Sequence, residues 1–329
     1  MRQVTPPLQF VQTLEAGLNG DLALTVEGTN ASVPGDDRYH SLSSDMLTAP
    51  PMDPYSPKRW IDIFSTGINS VNFSIQADPF VKVSQPSGTL NANGNNTDIR
   101  VWVEIDWKKA PSGSSNTVLN ITSSAPYGTQ FNMPQVTIPI NNNVVPSTFT
   151  SGFVESDGHV SIEAQHYSRV TKGDPRYNYT VLPGFGRHLS GLTVFPVTAP
   201  SLTTATAPSL EYDIYTFKTL KYPANLTLIF GEGLNHDPHR PLRYAVAFDD
   251  ATPQIVKYIQ DQTKGNLPIG WSPAVENAAW IITTNHTLTP GKHTLKFWAL
   301  EPGVVLTKLV LDLGGVRPSY LGPPESYKI

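Results

Sequence analysis

Between Ile99 and Trp107 the side chains alternate without a break. Ile99, Val101, Val103, Ile105 and Trp107 fall on one side, and Arg100, Trp102, Glu104 and Asp106 on the other. A strand turns successive side chains to opposite faces, so this period of two predicts an antiparallel strand with one face buried. Its apolar row is removed from water only when a second layer covers it. Strand-like runs recur at Trp60–Phe64, Val71–Ala77, Phe80–Ser84, Thr117–Ser123 and Gln135–Ile140, separated by turn chemistry such as Pro86-Ser87-Gly88 and Pro111-Ser112-Gly113. Residues 58–145 therefore read as an immunoglobulin-like β-sandwich.

After a linker at Asn141–Gly152 comes a second series: His159–Ala164, Leu192–Val197, Leu210–Phe217, Asn225–Phe230, Arg243–Phe248, Trp280–Thr284, His293–Leu300 and Val304–Leu313. These runs predict a jelly-roll over 152–317. Gln254–Asp261 is the one segment there that reads as a helix. The Pro-rich tail 318–329 is expected to dock on a surface. Residues 1–57 do not read as a domain. Leu8, Val11, Leu14 and Leu18 have helical spacing, Leu22–Val26 reads as a short strand, and Ser32–Pro57 is Pro-rich. This segment reads as a connector, the remnant of an upstream helical region, that packs on something else. The chain is thus all-β, with two sandwich modules after an irregular N-terminal segment. Its 15% charged residues, 24 Gly and 30 Pro suit short strands and many turns rather than long solvated helices.

A net charge of −4 and the lack of Lys or Arg runs leave no electrostatic footprint for nucleic acid. The absence of cysteine excludes disulfides, thiolate nucleophiles and Cys-ligated zinc. No window reaches the roughly 18 apolar residues of a membrane helix. The start of the chain has no apolar region of the kind that marks a signal peptide. Asn-x-Ser/Thr acceptors occur at Asn30, Asn72, Asn95, Asn120, Asn178, Asn225 and Asn285. Alternation sends Asn72 and Asn225 to the polar face of their strands, so an extracellular, glycosylated setting is expected.

Long stretches of the second module carry a specific resemblance. GFVESDGHVSIEAQHYSRV (Gly152–Val170), PGFGRHLSGLTVFPVTAP (Pro183–Pro200), LEYDIYTF (Leu210–Phe217), RPLRYAVAFDD (Arg240–Asp250), HTLKFWALEPGVVLTKLVLDLGG (His293–Gly315) and PSYLGPPES (Pro318–Ser326) resemble the C-terminal domain of glycoside hydrolase family 115. PPMDPYSPKRWIDIFSTG (Pro50–Gly67) resembles the same family's segment ahead of its C-terminal sandwiches. The resemblance implies kinship with xylan α-1,2-(4-O-methyl)glucuronidases, whose catalytic carboxylates belong to a (β/α) barrel. This chain lacks the strand–helix alternation of a barrel, so no catalytic residue is carried over. What the resemblance implies is an accessory region that packs on a catalytic barrel, supports a homodimer and contacts xylan, with no glycosidase activity alone. A free-standing carbohydrate-binding module and the C-terminal part of a complete α-glucuronidase stay open as alternatives.

The second module is also similar to carbohydrate-binding modules of families 6 and 35, which are galactose-binding-like jelly rolls. They often hold a structural calcium through a Glu-Ala-Glu strand and an Asp near the last strand. Here the matching residues are Glu163-Ala164-Gln165 and Asp312. Gln165 departs from the pattern by offering a neutral oxygen where calcium favours charge.

Sugars stack their C–H faces on exposed rings and need polar partners for their hydroxyls. Trp271, Tyr167 and Phe185 flank loops, and Trp298 shares a strand face with Thr294 and Lys296, which predicts partial exposure. These rings also suit a core edge. Asp249-Asp250 is a poor acid–base pair, because adjacent strand residues point apart. His236, Asp237 and His239 could ligate a metal, yet they sit on a loop that reads as solvated.

Overall fold

Alternating rows need facing sheets, and both halves of the chain supply them. The computed structural model describes residues 22–29, 32–33, 46–67, 69–91, 94–124, 135–261 and 263–329. It divides into two compact units after Asn142. The helical spacing at Leu8–Leu18 lies outside the described residues.

The first unit is built from β1 (Leu22–Val26), β2 (Met46–Thr48), β3 (Arg59–Ser65), β4 (Val71–Gln76), β5 (Val81–Val83), β6 (Ser87–Leu90), β7 (Asp98–Ile105), β8 (Gly113–Ser123) and β9 (Gln135–Asn142). One sheet has the order β1-β3-β7-β5 and the other β2-β9-β8-β4-β6. The alternation read at 99–107 holds: Val101 and Val103 have no exposure, while Trp102 on the other face is 43% exposed. The core joins Ile61 and Ile63 of one sheet to Leu119, Ile121, Val136 and Ile138 of the other.

The connector expected over 1–57 needs correction. β1 pairs antiparallel with β3, from Leu22 opposite Ser65 to Val26 opposite Ile61. β2 pairs parallel with β9. Leu22, Leu24, Val26, Val33 and Leu47 join the same buried core. These two strands supply sheet to the first module, because β3 and β9 each have a free edge that another strand satisfies.

The second unit comprises β10 (Phe153–Val154), β11 (His159–Glu163), a 3₁₀ turn at Ala164–His166, β12 (Arg169–Thr171), β13 (Asn178–Pro183), β14 (Ser190–Phe195), β15 (Ser209–Thr216), β16 (Ala224–Phe230), β17 (Arg243–Phe248), β18 (Gln254–Lys257), helix α1 (Trp271–Glu276), β19 (Trp280–His286), β20 (Gly291–Ala299) and β21 (Leu306–Asp312). One sheet runs β10-β15-β20-β17-β18 with β12 on β15. The other runs β13-β14-β21-β16-β19 with β11 on β21. The helix expected at Gln254–Asp261 is instead an edge strand, with Ile255 opposite Ala245 and Val256 opposite Tyr244. Two consecutive β-branched residues favour that outcome.

The inner faces meet through rings. Phe230 stacks on Tyr258 at 4.6 Å and lies 4.9 Å from Tyr244, which in turn is 5.8 Å from Phe297. Phe230 comes from one sheet, and Tyr244 and Phe297 come from the other. The tail behaves as a strap. Ser326 N–H donates to Ser161 O (2.8 Å), Val154 N–H to Tyr327 O (2.9 Å), and Ile329 N–H to Gly152 O (2.9 Å). Close passage of the chain demands glycine at 315, where a Cβ would collide with the Asp157 carbonyl.

Phe230→Ala should lower stability by about 3–5 kcal/mol, because it empties the contact between the sheets. Ile255→Ala, at a side chain 60% exposed, should stay within about 0.5 kcal/mol. Urea midpoints of both variants check this, and equal losses would contradict it.

Candidate functional site

β16 ends as Phe230 enters the core, and the chain then leaves the sheet at Gly231. The loop that follows is held at several points. The Trp280 indole N–H donates to Gly233 O (3.0 Å). Asn235 donates through Nδ2 to Ile259 O (3.1 Å) and accepts through Oδ1 from Leu242 N–H (2.9 Å). Asp237 Oδ1 accepts from His239 N–H (2.9 Å), closing a turn. Arg240 then donates to Glu301 Oε2 (3.0 Å) and Ala199 O (2.8 Å), while Arg243 donates to Glu301 Oε1 (3.0 Å). Glu301 is only 1% exposed, so two guanidinium groups neutralise a carboxylate that could not stand there alone.

Across from this loop runs the segment after β18. Between them lies an open cleft of about 620 Å³ lined by Asn235, His236, Pro238, Asp261, Thr263, Lys264, Gly265, Asn266 and Leu267. Asp261 is ion-paired with Lys257. The far end of the second loop is fixed by two indoles, Trp271 and Trp280, 6.2 Å apart and tilted by 51°. Gly270 permits this with a φ of 87°, and a Cβ there would come 3.2 Å from Trp280. The walls thus offer amide, imidazole, ammonium and hydroxyl groups beside the exposed Leu267. That mixture suits a hydroxyl-rich ligand with an apolar side. Among the described lining residues Asp261 is the one carboxylate.

Of the rings singled out from sequence, Trp271 opens α1 just after the second loop and is not itself among the cleft's lining residues. Trp298 needs correction: it is 9% exposed, and Ala245 opposite it is fully buried, so this outer face is itself covered. Phe185 lies over Gly191 and Gly231, sites where a Cβ would strike its ring. Tyr167 packs against the core from its edge. Sequence reasoning did not bring His236, Lys264 and Asn266 together as the lining of one cleft, because isolated polar residues on loops carry no periodic signal. Asp249 accepts from His293 (2.8 Å) and from Thr294 N–H (2.8 Å), whereas Asp250 points to solvent. No cluster of three or more His, Cys, Asp or Glu side chains converges among the described residues, and His236, Asp237 and His239 are exposed.

Among the glycosylation acceptors, Asn72, Asn95, Asn178, Asn225 and Asn285 are exposed. Asn120 is half-buried and accepts from Gln135 Nε2 (2.9 Å). Asn30 lies outside the described residues.

Calcium at Glu163 and Asp312 does not fit. Glu163 is opposite Lys308 and Asp312 is opposite His159. Four strand steps separate the carboxylates, about 13 Å. Lys308 Nζ lies 3.1 Å from Glu163 Oε1. Asp312 Oδ1 accepts from the N–H groups of Gly314 (2.7 Å), Gly315 (3.1 Å) and Val316 (3.2 Å). Gln165 Oε1 accepts from the Ser190 hydroxyl at 2.8 Å. Beside Glu163, the His188 side chain is 3% exposed, and desolvation pushes its pKa down to about 4.

The sequence family described as "Glycosyl hydrolase family 115 C-terminal domain" matches residues 152–325. No curated protein matches the chain. Among solved structures, the chain is similar to a family GH115 4-O-methyl-α-glucuronidase with specificity for decorated arabinogalactans. That match has 18% identity, 52% of this chain, 19% of that chain and a TM-score of 0.35. It is also similar to a family 35 carbohydrate-binding module from Clostridium thermocellum, at 12% identity, over 46% of this chain and 97% of that one, with a TM-score of 0.28. A family 6 carbohydrate-binding module gives 13% identity, 47% and 94% coverage, and a TM-score of 0.28. The chain therefore spans 19% of the glucuronidase it matches.

His188 titrates near 6.5 when unfolded and near 4 when folded. Between these values the unfolded chain takes up a proton that the folded one refuses, so stability falls as pH drops from about 6.5 to about 4. His286, also lowered by burial, adds in the same direction. Urea midpoints at pH 7 and pH 4.5 should show the fall, and His188→Gln should flatten it. An unchanged slope in the variant would refute the assignment to His188.

Proposed function

We propose, from the premise that this chain belongs to the glycosyl hydrolase family 115 C-terminal domain family, that it is the accessory β-sandwich region of a xylan α-1,2-glucuronidase. In this reading the chain acts outside the cell, packs on a catalytic barrel supplied by the rest of such an enzyme, supports its dimer and contacts xylan. The observation that carries the reading is the family match over residues 152–325, which contains the whole cleft.

The cleft gives the sugar contact its chemistry. Asn235 is held by both of its polar atoms, so the first loop needs little reordering when a ligand arrives. His236, Lys264 and Asn266 present donors and acceptors at its mouth. Three buried carboxylates elsewhere in the second module, Glu211, Asp213 and Glu301, fit a role without hydrolysis. Arg169 holds Glu211 (2.7 Å) and Asp213 (2.7 Å) together, and two arginines hold Glu301. A carboxylate locked to a guanidinium is neither free acid nor free nucleophile.

Two measurements test this. Affinity electrophoresis in glucuronoxylan gels should retard the chain, and His236→Ala with Asn266→Ala should weaken retardation at least several-fold without moving the melting temperature. Trp271→Ala should weaken it too, with some loss of stability. Retardation unchanged by the cleft variants would remove the cleft from the reading. Release of 4-O-methylglucuronic acid from glucuronoxylan by the purified chain would overturn the accessory role.

A further inference from the structure

We propose that the ammonium group of Lys308 is the cation that neutralises Glu163, one of the two residues at which the resemblance implies a structural calcium. The fold is then independent of calcium.

The register places the pair. β11 and β21 run antiparallel with Glu163 opposite Lys308. Ile162 and Leu309, their neighbours, point into the core, so Glu163 and Lys308 share the outer face. This part of the outer face is nonetheless covered, with side-chain exposures of 14% for Glu163 and 5% for Lys308. A carboxylate removed from water needs a partner of opposite charge, and Lys308 Nζ at 3.1 Å is that partner.

The other groups around Glu163 leave that role to Lys308. His188 Nδ1 is 4.0 Å from Glu163, and burial keeps its ring neutral near pH 7. Arg187 points its Nη1 to the Asn277 backbone and side-chain oxygens (3.0 and 3.2 Å). Gln165 spends its carbonyl oxygen on Ser190. Calcium asks for six to eight oxygen ligands with charge among them. Glu163 is already joined to an ammonium, and the neighbouring Glu325 carboxylate accepts from the Glu163 N–H (2.9 Å) and holds His166 (2.8 Å), so the pair does not supply that set. A divalent ion at Glu163 would also meet the charge of Lys308 directly.

Thermal unfolding of the full chain in EDTA and in millimolar calcium chloride tests the proposal, with hydrogen exchange at the Ser161–Glu163 amides as the local readout. The wild-type melting temperature and amide protection should be the same in both. Lys308→Met should lower the melting temperature by roughly 5 °C or more, because it strands a buried charge. K308M/E163Q should regain most of that loss. Where K308M is insoluble, recovery of the folded double variant reports the same coupling. A wild-type transition that falls in EDTA or rises with calcium would overturn the proposal, as would a double variant no better than K308M.

Discussion

Two sheets that each bury one face have to cover one another, and in the second module that contact runs through Phe230, Tyr244, Tyr258 and Phe297. Aromatic rings bring large apolar area and prefer tilted or offset contacts, which the 4.6–5.8 Å centroid distances satisfy. The contact also decides where the cleft lies. Phe230 is the last residue of β16, and the next residue, Gly231, passes beneath the Phe185 ring. The chain has to leave the sheet there, and the loop it forms becomes one wall of the cleft. Tyr258 anchors the start of the other wall. Both walls therefore spring from one packed cluster.

Charge is scarce in this chain, and several buried carboxylates among the described residues are paired with a cation. Glu301 lies between Arg240 and Arg243, Glu163 against Lys308, and Glu211 with Asp213 around Arg169. Each pairing offsets a desolvation cost that would otherwise expel the carboxylate. The Glu301 cluster has a second consequence, because Arg240 closes the His236–His239 loop. Asp237, one of the residues most suggestive of a metal or acid–base site, thus serves to close a turn in its loop.

The legible parts of the fold were the long, regular strands. β7, β15, β16 and β20 were read close to their observed limits, since each has enough alternation to betray its period. Short strands such as β12 and β13 were missed, because three to six residues with polar or half-buried sides carry little pattern. Gln254–Lys257 was misread as helix, and its edge pairing with β17 overrode that reading. Trp298 was placed on the right strand face, but its burial depended on what covered that face.

The amino-acid sequence by itself determined the all-β character, the two modules and the kinship of the second one, because side-chain period and long stretches of specific residues are properties of the chain. Only the tertiary structure decided that Leu22–Val26 and Met46–Thr48 join the sheets of the first sandwich, that Lys308 meets Glu163, and that Asn235, His236, Lys264 and Asn266 line one cleft. Those facts rest on register and on loops brought together from distant positions. Local pattern cannot encode such meetings, since the free energy that selects them comes from burying both partners at once.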